Sequence, residues 1–200
     1  MKLSQIELDR PAPSYRREAI TQVSAELFYS KGFSNTSLAE IAALIGFRKP
    51  VIYESFVDKK DLLNNVASSG IEKGLLKLGP APVVDLSTDE LIERLIGVQD
   101  VFIHFHKHIV VYIREELNLR PGDARRIRAK RRKFDETLIA WIKSLSCNKL
   151  SSVPNVEFAA LSISGLITWP VFWFDNRGSF FDSNELPHLS RYHIKCVLCL

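Results

Sequence analysis

The stretch from Thr36 to Leu63, TSLAEIAALIGFRKPVIYESFVDKKDLL, most constrains how this chain can fold, because it joins two short helical patterns, a tight turn and the start of a third helix. Ser37 and Glu40 have the spacing of a capping box, in which each side chain satisfies an unpaired amide of the first helical turn. A helix is therefore expected to begin here and to end at Gly46, where a tight turn needs positive φ. This pattern predicts a helix-turn-helix.

The second short helix is predicted to have an inward and an outward face. Ile52 and Phe56, four residues apart, indicate the inward face. The outward face is formed by Arg48, Lys49, Val51 and Tyr53. In the major groove a guanidinium can pair with guanine, a lysine with phosphate or base, a valine with a thymine methyl, and a tyrosine hydroxyl with phosphate. The outward face therefore predicts a recognition helix.

Two flanking helices complete a predicted three-helix unit. Apolar residues three and four apart predict the first helix over residues 15–31, and Gly32 ends it. Asp58 is placed to cap the helix that follows the motif, and Lys59 at its start is expected to meet the DNA backbone. Residues 1–14 contain two prolines and predict a flexible arm, which either reaches DNA or is a solvated tail.

Three motifs occur in fixed spacing along residues 27–63. They consist of Leu27, Phe28, Gly32 and Phe33; then Thr36, Ser37, Ile41, Ala42 and Gly46; then Tyr53, Phe56, Lys59, Leu62 and Leu63. The run resembles the TetR family of bacterial transcriptional regulators, which implies a DNA-binding function. Together with the outward face, it gives as candidate DNA-binding residues Thr36, Ser37, Arg48, Lys49, Val51, Tyr53 and Lys59.

The same run departs from the family pattern at three positions. Arg48 stands where the family usually has a small hydroxyl residue, Pro50 where glycine or alanine is common, and Ser55 where histidine is frequent. Pro50 is compatible with the first turn of a helix, since the amides there are unpaired. The departures leave the predicted fold intact, but the base contacts do not follow from the resemblance.

The charge of the N-terminal segment bears on how it would bind DNA. Residues 1–60 hold nine Lys or Arg and seven Asp or Glu, a net charge of +2. A single headpiece is therefore expected to bind weakly, which favours a homodimer reading a palindromic operator with two half-sites. The whole chain has a formal net charge of +4, too mild to choose between nucleic acid, a membrane surface and an acidic ligand.

Residues 61–200 predict a helical bundle. The segment 79–85, GPAPVVD, breaks the preceding helix, and Ser87 and Glu90 then repeat the capping spacing. The helix that follows is apolar nearly all round, so it is expected to lie at the centre of the bundle or to line a cavity. A junction between two helices is expected near His106.

The last two helices are predicted to form an antiparallel pair, which a two-fold axis doubles into a four-helix dimer interface. One runs from Asn155 with small residues followed by aromatic ones, and Pro170 is expected to kink it. The other runs from about 183 to 200. Cys196 and Cys199 lie in it and are interpreted as packing residues, because no second pair completes a zinc site.

The densest positive charge lies in residues 120–133, with eight basic residues and one acidic residue, Asp123. This segment is interpreted as a solvated helix surface, a site for a phosphate-bearing ligand or a second DNA contact. The C-terminal part also resembles the acyl-CoA-sensing branch of the TetR family in Tyr112, Arg114 and Glu115, the basic helix through Arg132, and Trp169 and Trp173 followed by Phe174 and Gly178. The candidate ligand-binding residues are Phe102, Phe105, Tyr112, Arg128, Arg132, Trp169 and Trp173.

Other classes of protein have less support. Three cysteines cannot all pair, the N-terminus has no apolar signal segment, and no stretch has the length of a membrane span, so a cytoplasmic protein without membrane contact is expected. His104, His106 and His108 alternate at a spacing of two, which spreads them over different helix faces and disfavours a metal site. Neither a glycine-rich phosphate loop nor a catalytic triad spacing stands out, so neither an enzyme nor a cofactor is expected.

The sequence thus predicts an all-α protein with a three-helix helix-turn-helix DNA-binding domain in residues 1–60 and a helical ligand-binding and dimerisation domain in residues 61–200. The predicted function is that of a repressor that binds a palindromic operator as a homodimer and is released by a small apolar or acyl-CoA-like effector. The alternatives are a ligand-independent or nucleoid-type DNA-binding protein, or a helical-bundle enzyme.

Overall fold

The structure is a computed structural model that describes residues 13–81, 87–148, 152–174 and 185–200. Every regular element in these ranges is helical, which confirms the predicted all-α class. The helices are α1 (Pro13–Lys31), α2 (Leu38–Ile45), α3 (Lys49–Ser55), α4 (Lys59–Leu78), α5 (Thr88–His104), α6 (His106–Glu115), α7 (Pro121–Cys147), α8 (Val156–Thr168) and α9 (Glu185–Leu198), with 3₁₀ turns at Glu116–Asn118 and Trp169–Phe172. None of the helices described is long and apolar enough to cross a membrane.

Local caps fix the helix ends where the sequence predicted them. The Ser37 hydroxyl accepts a hydrogen bond of 3.1 Å from the amide three residues later, and Gly46 ends α2 with a φ of 76°. Asp58 caps α4 through a bond of 2.9 Å, and Ser87 caps α5 through one of 3.4 Å. Each cap satisfies an amide that the helix itself leaves unpaired, so these boundaries are confirmed.

The first three helices pack as a helix-turn-helix around a shared apolar core, which we call the N-terminal core. Ile52 and Phe56 of the α3 segment are both buried in it, as their spacing predicted. Phe28 of α1 lies in the same core and meets Phe33 edge to face, with ring centroids 5.4 Å apart. Because α3 has only seven residues, this burial holds it in place.

A second core fills the rest of the molecule. It lies between α5, α7, α8 and α9, and Trp141 of α7 is its largest fully buried side chain. Helix α4 takes part in both cores, with Leu62 and Leu63 in the N-terminal core and Leu78 in the second. Val111 of α6 also belongs to the N-terminal core. The proposed division after residue 60 therefore falls inside α4 and stays a proposal.

Three local features differ from the sequence predictions or lie outside the described ranges. Pro170 does not kink a continuous helix; α8 ends at Thr168 and the chain continues as a 3₁₀ turn, because proline cannot complete the helical hydrogen bond. Cys196 and Cys199 are exposed free thiols, so their interpretation as packing residues is wrong for this chain. The predicted N-terminal arm falls almost entirely outside the described residues, as does Gly178.

Candidate DNA-contacting surface and effector cavity

Helix α3 presents most of the predicted DNA-binding residues on one exposed surface. Arg48 occupies the N-cap position without a side-chain cap bond, which leaves its guanidinium at the surface. Tyr53 is half exposed, and the Lys49 ammonium lies 5.9 Å from the centroid of its ring. Val51 is partly exposed in the same helix. Ser37 is exposed at the start of α2. We call these five residues the α3 surface.

Thr36 does not belong to this surface. Its side chain is only 2% exposed, and its hydroxyl donates a hydrogen bond of 2.9 Å to the Gly32 carbonyl. The hydroxyl thus ties the end of α1 to the start of α2. The burial that stabilises this corner removes the Thr36 side chain from the surface, and a contact of this residue with DNA stays a prediction.

Two arginines fix α1 against α3 and a lysine packs beside the turn. Arg16 forms an ion pair of 2.8 Å with Glu54, and the Arg17 guanidinium lies 4.2 Å from the Phe56 ring centroid. The Lys59 ammonium lies 4.3 Å from the Phe33 ring centroid, and burial lowers the pKa of this lysine. Lys59 therefore stabilises the headpiece in addition to its predicted role at the DNA backbone.

A cavity of about 210 Å³ lies between α4, α5, α6, α7 and α8. Its apolar lining consists of Ala67, Ile71, Phe102, Ile109, Ile113, Ile127, Phe134 and Leu161. Its polar lining consists of Tyr112, Arg131, Asp135, Ser164 and Thr168. Concave, mostly apolar sites with a few polar groups are typical of small-molecule binding. We call this space the effector cavity.

The structure places two of the predicted ligand-binding residues, Phe102 and Tyr112, in the lining of this cavity. Phe105 lies instead at the junction of α5 and α6, with its ring centroid 4.9 Å from that of His108. Trp169 and Trp173 lie beyond the end of α8, exposed by 64% and 39%. The lining does not include these three residues, so their contact with a ligand stays a prediction.

The arginine of α7 that lines the cavity is not one of the two that the sequence predicted. Arg128 pairs with Glu116 at 2.7 Å, Arg132 is exposed, and neither belongs to the lining, whereas Arg131 does. Arg131 lies four residues after Ile127, which also lines the cavity. Ile127 and Phe134 form the apolar face of α7 that lines the cavity, and the position of Arg131 between them in the sequence could have identified this arginine.

One wall of the effector cavity is polar. The Arg131 guanidinium lies 5.7 Å from the Tyr112 ring centroid, and the Ser164 hydroxyl donates a bond of 3.3 Å to Asp135. Burial raises the pKa of the Asp135 carboxyl and that of the Tyr112 phenol. Within the described residues, the guanidinium of Arg131 has no carboxylate within 4.0 Å. Arg131 can therefore offer its donors to an anionic or carbonyl oxygen of a ligand.

Several basic side chains in residues 120–133 form ion pairs with carboxylates of the same chain. Arg120 binds Asp58, Arg126 binds Asp123, and Lys130 binds Glu72. These pairs connect α7 to α4 and stabilise its own first turn. The segment is thus a structural connection for part of its length, while Arg125, Arg132 and Lys133 remain exposed.

Helix α6 connects the cavity with the headpiece. Ile109 and Tyr112 line the cavity, while Glu115 at the end of the same helix accepts a hydrogen bond of 3.0 Å from the Phe33 amide. The Arg114 guanidinium lies 5.2 Å from the Tyr29 ring centroid. Because one short helix carries both sets of residues, a ligand that shifts it would also shift α1.

His108 at the start of α6 predicts a dependence of stability on pH. It is 2% exposed, and burial lowers its pKa from 6.5 to about 4. The neighbouring charges of His104, His106 and Lys107 add smaller lowering contributions, which the carboxylate of Glu26 partly opposes. As pH falls below 6.5, the unfolded chain takes up a proton that the folded protein does not bind until about pH 4. Stability conferred by the neutral ring is therefore lost in that window, by about 2 kcal/mol between pH 7 and pH 5.

Urea unfolding at these two pH values measures the effect. His108→Leu is expected to flatten the pH dependence, whereas replacement of the exposed His188 by glutamine is expected to leave it unchanged. An equally steep dependence in His108→Leu would assign the effect to other groups.

Comparison with known proteins agrees with this geometry. Residues 20–66 match the family described as bacterial regulatory proteins, tetR family, and residues 85–184 match the tetracyclin repressor-like C-terminal domain. A helix-turn-helix followed by a helical bundle is the fold of a class of transcriptional regulators. Within that class, the chain belongs to the TetR family.

Solved structures share the fold at low sequence identity. A TetR-family regulator, PfmR from Thermus thermophilus, has a TM-score of 0.72 and 20% identity, covering 90% of this chain and 97% of that one. A tetR-family protein from Rhodococcus has a TM-score of 0.76 and 20% identity over 92% and 95% of the two chains. AibR, solved with isovaleryl coenzyme A and operator DNA, has a TM-score of 0.67 and 22% identity over 92% and 98%. A search of curated protein sequences found no match.

Proposed function

We propose that the protein is a homodimeric, ligand-responsive repressor, which binds a palindromic operator and is released by an apolar effector with an anionic group, such as an acyl-CoA. The observation that carries the proposal is the double role of α6. Tyr112 of this helix lines the effector cavity, and Glu115 one turn later holds the Phe33 amide of the headpiece. Ligand release of DNA requires a ligand that favours a geometry fitting DNA poorly, and such a helix connects the two sites.

The proposed dimer rests on exposed apolar side chains in the last two helices. These are Phe158 and Leu161 of α8, Trp169 and Phe172 of the following turn, and Leu189 and Tyr192 of α9. A concentration of large exposed apolar side chains on neighbouring elements is typical of a protein interface. A two-fold axis through this face would cover it with its own copy.

A charge at this face is expected to dissociate the dimer. Phe158 is 71% exposed and Tyr192 is 66% exposed, so replacing both by glutamate leaves the fold of one protomer intact while placing charge in the proposed interface. Sedimentation velocity measures the result. The control is Leu117→Glu at a side chain that is 98% exposed in the 3₁₀ turn after α6. A dimer that survives the double substitution would place the interface elsewhere.

The effector chemistry follows from the size and polarity of the cavity. A dry cavity of about 150 Å³ is enough to hold benzene, so 210 Å³ suits the acyl end of a thioester while the nucleotide lies outside. Arg131 is placed to meet a carbonyl or an anionic oxygen of the ligand, and the partly buried carboxyl of Asp135 lies in the same polar wall. The complex of AibR with isovaleryl coenzyme A supports this class of ligand by analogy of fold.

Calorimetric titration with acyl-CoAs of several chain lengths tests the proposal, together with operator binding measured by fluorescence anisotropy. The operator is sought as a palindromic sequence upstream of the gene. We expect heat of binding for at least one chain length and release of the operator by the same compound. No heat and no change in operator binding across the series would reject the effector class. Sequence-independent coverage of DNA in a footprint would favour a nucleoid-type protein instead.

Removal of the Glu115 carboxylate is expected to weaken the coupling between ligand and operator. Glu115→Ala leaves the Phe33 amide without its acceptor, so movement of α6 is transmitted less well. The effector concentration that releases the operator is expected to rise by about tenfold, a typical coupling energy. Glu115→Gln keeps an acceptor oxygen and serves as the control, with a release close to that of the natural protein. Equal release in both variants would show that this contact carries no coupling.

A further inference from the structure

Two glycines of α4 face the side chains that line the effector cavity. A Cβ atom built on Gly70 would lie 2.8 Å from Cγ1 of Ile109. A Cβ atom built on Gly74 would lie 2.4 Å from Cε1 of Phe102, where ordinary contact is 3.4 Å or more. Both glycines are buried and both belong to a regular helix. The glycines therefore permit a close approach that any other residue would prevent, at a cost in helix propensity.

The Phe102 ring is held from two sides. Its edge rests on the backbone of Gly74, and its centroid lies 5.8 Å from the centroid of the Phe134 ring. The side chain is 4% exposed, and it forms part of the cavity lining. The ring is thus confined between α4 and α7, and the remaining unfilled space beside it is the effector cavity itself. Phe134 borders the same cavity.

We propose that Gly74 determines the size of the effector that the protein accepts, because it receives the edge of the Phe102 ring and so keeps that ring out of the cavity. The inference rests on the proposed function, in that it assigns the cavity to an effector. Gly74 does not itself touch the ligand space, since it is absent from the lining. It is therefore a positioning residue that acts through Phe102, and Phe102 is the residue that meets the ligand.

A methyl group at position 74 has a definite steric result. The Phe102 ring edge must withdraw by about an ångström to restore ordinary contact, and the packed rings and helices around it leave the cavity as the space available. The cavity becomes shallower and its longest acceptable ligand shorter. A smaller side chain at position 102 should have the opposite result, because it vacates the space that the ring occupies.

The experiment uses the full chain and a series of n-alkylbenzenes from benzene to hexylbenzene, followed by calorimetry. These probes carry no anionic group, so their binding reports the cavity and not the effector's head group. Gly74→Ala is expected to weaken the longest member bound by the natural protein by about tenfold or more, the usual effect of one methylene in an apolar pocket. Phe102→Leu is expected to extend the series by one or more carbons, and the double variant is expected to return the natural length preference.

Gly122→Ala is the matched control, because a Cβ atom there would meet only Arg126 at an ordinary 3.9 Å. An unchanged length preference in folded Gly74→Ala would overturn the proposal, and so would the absence of binding by every member to the natural protein. If Gly74→Ala alone does not fold, the comparison of Phe102→Leu with the double variant decides, because a double variant that accepts chains as long as those accepted by Phe102→Leu contradicts the role of position 74. If the variants change the preferred alkylbenzene length but acyl-CoAs do not release the operator, the inference about Gly74 holds and the proposed effector class is rejected.

Discussion

Replacing Lys49 and Tyr53 together by alanine is expected to lower the affinity of the dimer for its operator by about 100-fold or more, because each half-site loses two contacts. Both side chains are exposed on α3, and the lysine ammonium lies 5.9 Å from the tyrosine ring centroid. The fold should be unaffected, since Ile52 carries the burial of this helix. Anisotropy titration of labelled operator measures the loss.

The choice of Lys49 over Lys59 follows from packing. Lys59 lies against the Phe33 ring, so its removal would mix a loss of DNA contact with a loss of stability. Lys73→Ala, at an exposed lysine later in α4, removes the same charge away from the α3 surface and is expected to bind the operator normally. An operator affinity that survives Lys49→Ala with Tyr53→Ala would show that another surface reads the DNA.

Truncation of Trp141 to alanine is expected to destabilise the protein by about 3–5 kcal/mol, the usual cost of such a cavity in a packed core. The indole is completely buried in the second core, and its Nε1 donates a hydrogen bond of 3.4 Å to the Gly79 carbonyl. Its loss therefore leaves a void and an unpaired carbonyl. Urea unfolding of both proteins at equal concentration measures the difference.

Leu76→Ala serves as the control for this truncation, because Leu76 is 78% exposed on α4. Its free energy of unfolding is expected to stay within about 0.5 kcal/mol of the natural protein. A loss below about 1 kcal/mol in Trp141→Ala would mean that the core collapses around the void, which the close packing of α5, α7 and α8 argues against.

Local chemistry explains what was predictable from the sequence. Ser37, Gly46 and Asp58 act on amides or carbonyls within four residues, so their identity alone indicated the helix ends. The inward positions of Ile52 and Phe56 also followed from spacing on a single helix. These features depend on contacts along the chain and need no knowledge of which helices meet.

The candidate site depends on contacts between distant helices, and there the sequence was less informative. Helical spacing limited the cavity arginine to a few positions of α7, but only the packing against α6 brings Arg131 over the Tyr112 ring. Thr36 has the residue type of a DNA contact, yet its hydroxyl is used by the Gly32 carbonyl. The role of Gly74 could not be predicted from the sequence, because it depends on the approach of the Phe102 ring from another helix.

Because α4 runs without a break through both cores, a tilt of this helix at the cavity also moves its end in the headpiece. Its 20 residues, Lys59–Leu78, span about 30 Å at about 1.5 Å per residue. The cavity meets α4 at Ala67 and Ile71, so the arm from Ile71 to Lys59 is about 18 Å long, and a tilt of about 5° about Ile71 would carry the headpiece end sideways by about 1.6 Å. In a two-fold dimer the two displacements add. In the proposed dimer, half-sites one helical turn apart demand a spacing of about 34 Å between the two headpieces, so a tilt of α4 in each protomer would change that spacing.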